Sequence, residues 1–192
     1  MYFLGIGQGA KVEAKFRLTH KPILLLIDDT GQHVDWPAAT NYLFDDLAQE
    51  LLGNKAAGKI VPRETLERLR QSLPDFDSRG AREIGELARA EQVVWIQVQD
   101  FLADPQIQDA VVACYFNATV KVLNVIEKER PSRVRLWPTS PQGQLVSVTL
   151  TGSEAATGRH KDGISRKLAE KLAEAIAKLF YDHRLGDFER QP

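Results

Sequence analysis

The chain has 192 residues, enough for one good core and short for two domains, and its composition (43% hydrophobic, 27% charged, mean hydropathy -0.29) is that of a globular protein without long low-complexity tracts. Its 25 basic and 26 acidic residues leave a net charge of -1, so no global field steers it toward nucleic acid or an anionic membrane. One cysteine, Cys114, excludes an internal disulfide and a cysteine-cluster metal site, and no apolar run approaches the ~20 residues of a membrane-spanning helix.

In chain order, "MYFLGIGQGAK" (residues 1–11) reads as a flexible tether. It lacks the basic and long apolar regions of a signal peptide, and it would suit the stretch just behind a removed export segment. A single α/β domain is expected over residues 12–183 and a polar tail over 184–192. "VEAKFRL" (Val12 to Leu18) alternates apolar and polar and predicts a half-buried strand, whereas "ILLLI" (Ile23 to Ile27) is apolar on both faces and predicts a central one. Pro37 opens a helix carrying Leu43, Leu47 and Leu51, with Gly53 at its end. "KIVP" is a short strand, "RETLERLRQSL" and "RGAREIGELARA" are helices, and "QVVWIQVQDFL" (Gln92 to Leu102) is a strand. From Val112 to Ile126 the even positions are nearly all apolar, which predicts a long strand with one face on the core. "RVRLWP" and "QLVSVTLTG" are expected beside it in an antiparallel meander. Asp162 is placed to cap a last helix over Ile164 to Asp182, striped by Ile164, Leu168, Leu172, Ile176 and Phe180. The whole predicts an α/β sandwich with a mixed sheet.

"IDDTGQ" holds the residues of several kinds of reaction centre. Asp29-Thr30-Gly31 matches the loop of aspartic proteases, but that chemistry needs a second copy, which this chain lacks. Asp28 and Asp29 with Asp100 at the end of a later strand would suit a magnesium-dependent phosphoryl-transfer or receiver domain, though no lysine at a matching strand end completes the set. The alternative is architectural: Asp28, Asp29 and Thr30 close an Asx-type turn in which Gly31 takes a left-handed conformation. His20, His33, His160 and His183 are dispersed and predict no metal site. "GIGQG" (Gly5 to Gly9) lacks the nucleotide-binding spacing, and Cys114 falls on the apolar side of its strand. No cofactor is expected. The loop from Pro131 to Gln144 offers Arg133, Arg135 and Trp137 as partner-binding anchors, with the tryptophan packing inward as the alternative.

Several segments together resemble one bacterial family. "IDDTGQ" is similar to the strand-end segment of the curli-secretion lipoprotein CsgG, and "IVPRETLERLRQSL" to the Arg-bearing strand end and leucine helix that follow it. "AREIGELARAEQVVWIQVQDF" resembles the helix-to-strand passage shared by CsgG, the penicillin-binding-protein activator LpoB and the N-terminal domain of TolB. "TVKVLNVIE" with "RLWP" resembles their hairpin, although "EKERPSRV" replaces its short Gly turn. Order and spacing agree from Ile23 to Trp137. The resemblance implies a TolB-N/CsgG-like fold and a non-enzymatic module of the cell envelope, periplasmic or outer-membrane-associated, with the cytoplasm left open. It would be held by a lipidated cysteine ahead of the tether and contact another envelope protein or copies of itself. A ring-forming secretion subunit is the alternative within the same fold, while no paired hairpins of the kind that build a membrane barrel are visible. A partner would meet the loop at Arg133, Arg135 and Trp137 or an exposed sheet edge.

Overall fold

The computed structural model describes residues 10–104, 114–151, 154 and 160–185. "GIGQG" and most of the tail lie outside them. The apolar run of β2 (Pro22–Asp28) forms the middle of a mixed sheet, parallel to β3 (Lys59–Ile60) on one side and to β4 (Gln92–Leu102) on the other. β4 pairs antiparallel with β5 (Cys114–Asn124). β6 (Arg135–Trp137) and β7 (Gln144–Leu150) complete it. The result is a single α/β fold with helices on a mixed sheet.

Period-two alternation sends the side chains to two cores. Ile23, Leu25, Val94, Ile96 and the even residues Cys114 to Val122 pack under α1 (Ala38–Gly53) and α4 (Lys161–Ala177). Leu43, Leu47, Leu168 and Leu172 of these helices are all fully buried in this core. On the opposite face Leu24, Leu26, Val93, Leu123 and Val125 pack against α2 (Arg63–Ser72), a 3-10 turn at Phe76–Ser78 and α3 (Ala81–Leu87), through Leu66, Phe76 and Ile84. Beyond Trp95 that face turns polar, with Gln97, Gln99, Asn117, Thr119, Ser147 and Thr149 half-buried or exposed.

Four expectations need correction. Val12 to Leu18 is not a sheet strand: only β1 (Lys11–Val12) is, and it pairs with β8 (His183–Arg184) in a separate ribbon. Phe16 and Leu18 do face inward, but the N–H groups of Lys15 and Phe16 go to the Leu179 carbonyl at the end of α4. Alternation records a buried side, not a ladder. That ribbon pairs Lys11, expected in the tether, with Arg184, expected in the tail.

Second, β6 and β7 are not successive strands of a meander. Val122 pairs with Trp137 and Val120 with Gln144, so both lie end to end along the same edge of β5, one edge strand interrupted by an excursion over Pro138–Gly143. The Trp137–Pro138 peptide is cis, and Gly143 takes φ +93° where a Cβ would press to 3.1 Å from the Val120 carbonyl. Third, Asp162 is not a cap. It sits inside α4, after His160 at the N-cap, and the helix ends at Ala177, short of Asp182. One Asp162 oxygen accepts from Trp36 Nε1 and the Tyr42 hydroxyl, both at 2.9 Å, latching α4 to α1 and its approach. That bond, with burial, raises the Tyr42 pKa. Fourth, the left-handed residue after β2 is Gln32 (φ 52°), not Gly31. A Cβ on Gly31 would lie 2.0 Å from the His33 ring, so this glycine makes room for a side chain.

Candidate functional site

The end of β2 brings Asp28 and Asp29 into a turn whose N–H groups they hold. Asp28 accepts the Thr30 N–H at 3.1 Å on one oxygen and the Trp95 indole N–H at 3.0 Å on the other. Asp29 accepts from the His33 and Val34 N–H groups at 2.8 and 3.0 Å, and His33 Nδ1 lies 3.2 Å away. Asp100 stands past a register shift in β4, where its carboxylate accepts the Phe101 N–H. It also faces the Tyr115 phenol, whose pKa is raised by burial and then by that carboxylate. Among the described residues no three His, Cys, Asp or Glu side chains gather as a metal site. Cys114 is fully buried, and burial pushes its thiol pKa up.

Beside the turn lies a cavity of about 750 Å³ between α1, α2 and the start of α3, floored by Leu26, Phe44, Leu66 and Phe76. It opens where the chain leaves β2 over one face of the sheet and β3 over the other, the kind of crevice where α/β proteins bind ligands. Its arginines are paired with acids of the same chain. Arg63 pairs with Asp45 and Glu67, Arg79 with Asp75 and Glu83, and Arg70 lies 3.7 Å from Asp77 with its Cζ 4.9 Å from the Phe76 ring centre.

The loop holding Arg133, Arg135 and Trp137 divides its residues. Trp137 turns inward, its ring 6.4 Å from Phe16 and 5.9 Å from Phe180, and so fixes the loop to the body. Arg135 is exposed and donates to the Thr139 carbonyl at 3.1 Å, bracing the excursion. Arg133, in a 3-10 turn, is exposed.

Next to this loop runs the edge of β7. Asn124, an even residue, donates to Val134 on the outer side, and Val125 donates to Glu91 on the inner side. By the alternation of an antiparallel pair, the even residues of β7 therefore bond back to β5, and Leu145, Ser147 and Thr149 turn their N–H and C=O groups outward. Two of those carbonyls take side-chain donors: Leu145 from Gln144 Nε2 at 3.0 Å and Thr149 from Lys171 Nζ at 3.5 Å. "QLVSVTL" contains no charge, proline or glycine, the devices that usually blunt an edge. That absence was legible in the sequence, but which residues face outward depends on a register that only the fold supplies.

No family model matches the chain, and no curated protein does. Among solved structures, a variant of the PelC dodecamer from Paraburkholderia phytofirmans aligns over 91% of this chain and 99% of its own, at 13% identity and a TM-score of 0.46. Lipoprotein GNA1162 from Neisseria meningitidis aligns over 68% and 80%, at 12% identity and a TM-score of 0.44. Likeness at this level assigns the chain no function.

Proposed function

We propose that this chain is a non-enzymatic binding or assembly module of the bacterial envelope, which engages a partner, another envelope protein or a copy of itself, through the loop at Arg133 and Arg135 and the adjoining edge of β7. The observation that carries the binding role is that edge: a seven-residue strand with an outward row of backbone donors and acceptors and no charged residue of its own, Lys171 of α4 reaching it at the Thr149 carbonyl. The envelope setting rests on the ordered run of motifs from Ile23 to Trp137. Of the acids of the rival phosphoryl-transfer reading, Asp28 and Asp29 are engaged with N–H donors of their own turn and of Trp95, and Asp100 with the Phe101 N–H.

The test is capture from a bacterial envelope extract on immobilised chain, followed by comparison with Ser147→Pro and with Arg133→Ala/Arg135→Ala. Ser147 turns its N–H outward, so proline there removes an edge donor without breaking the pairing to β5. Both variants should stay folded by circular dichroism and lose most of the captured partner. Undiminished capture by both would sink the reading.

A further inference from the structure

We infer that the strand accepted by the β7 edge is β7 of a second copy, giving a two-fold dimer in which the sheets of both chains run on as one. This rests on the edge being a binding surface, and it names the occupant. The two edges of the sheet differ sharply. On one side β3 is two residues long and starts with a lysine, too short to guide another strand. On the other, β7 offers seven residues, and its three outward-facing positions are evenly spaced about Ser147.

A strand without charge can pair with its own copy about such a centre. A two-fold axis through Ser147 sets Ser147 against itself and Leu145 against Thr149 of the second copy, and it uses every outward position of the strand. No charged residue of β7 meets a like charge, which an isologous strand pair must otherwise manage because each residue near the axis faces its own kind. Leu145 is 57% exposed, and in this register it gains the Thr149 side chain of the second copy on the same face. The Gln144 and Lys171 contacts to the Leu145 and Thr149 carbonyls are exposed, and the N–H groups of the second strand replace them.

The test combines molar mass with a cross-link that depends on register. Light scattering behind size exclusion should show twice the 21.5 kDa of one chain at high concentration, falling toward one chain on dilution. Ser147→Cys should form a disulfide-linked dimer under mild oxidation, since opposed hydrogen-bonded residues stand ~5.5 Å apart between Cα atoms, within disulfide reach. Ser140→Cys, in the excursion, should not, and the native Cys114 is buried. Ser147→Pro should be monomeric. Should that variant misfold, amide exchange decides: the Ser147 N–H should be protected in wild type only at high concentration. A single-chain mass throughout, a larger closed ring, a dimer indifferent to Ser147→Pro, or the absence of a Ser147→Cys cross-link would each overturn the inference. If wild type is monomeric while Ser147→Pro still loses its captured envelope partner, the second copy is excluded and the binding edge stands.

Discussion

The indole of Trp95 on β4 donates to the carboxylate of Asp28 on β2, Nε1 to Oδ2 at 3.0 Å, across two parallel strands. Above the same indole, 4.8 Å from its ring centre, lies Lys121 Nζ, which donates to Gln97 Oε1. Asp28 thus marks the point where the sheet passes from its buried to its open half. Asp28→Ala should leave the part-buried indole N–H without its acceptor and cost about 1–3 kcal/mol, lowering Tm by roughly 2–4 °C per kcal/mol. Asp28→Asn, which keeps an acceptor, should lose less. Magnesium with beryllofluoride should leave the wild-type Tm unmoved; a clear rise would revive the phosphoryl-transfer reading.

Trp137 and its neighbouring arginines should separate in denaturant melts. Trp137→Ala removes the ring between Phe16 and Phe180 and should cost about 3 kcal/mol. Arg133→Ala touches only an exposed side chain and should stay within about 0.5 kcal/mol of wild type. Equal losses would mean that the loop is held by its charges.

Like Asp182, Glu154 contributes to the acid limb of stability. Its hydrogen bonds from Lys171 and from the Thr151 N–H lower its pKa to about 2. A carboxylate depressed in the folded state stabilises above its unfolded pKa, near 4.5, and that contribution is lost as pH falls from there toward 2. With 41% of the side chain exposed, screening holds the effect to about 1 kcal/mol or less. Glu154→Gln should flatten the stability profile in that window and leave stability near pH 7 slightly lower.

Gly85 lets α3 lie against the sheet. A Cβ there would stand 2.5 Å from Val93 Cγ2 and 2.8 Å from Val125 Cγ2. Gly85→Ala should therefore destabilise by about 1–3 kcal/mol despite the better helix propensity of alanine, and Gly85→Ala with Val125→Ala should recover part of the loss. Additive losses would count against the close contact.

What could be read from the sequence follows the range of the interaction. The apolar run of β2, the leucine spacing of α1, the even-residue alternation of β5 and the stripe of α4 each report one local burial pattern, and each gives the right element. Pairing is another matter. "VEAKFRL" alternates as a strand would, yet its N–H groups end on Leu179 and Asp182, partners more than 160 residues away. Asp162 stands where a cap is expected, but its acceptors are claimed by Trp36 and Tyr42 from a distant segment. The site divides in the same way. "IDDTGQ" announces a turn or a reaction centre without choosing, because the choice depends on which N–H groups come within 3 Å. "QLVSVTL" announces an uncharged strand without saying that it lies at an edge.

Because β6 and β7 are two halves of one strand along β5, the residues from Pro138 to Gly143 carry no part of the ladder. Extra chain inserted there would leave both registers intact, at a closure cost that grows only as the logarithm of its length. This loop can therefore change in length while the sheet stays unchanged, and an epitope or fluorophore placed at Ser140 would report on the neighbourhood of the edge without rebuilding it.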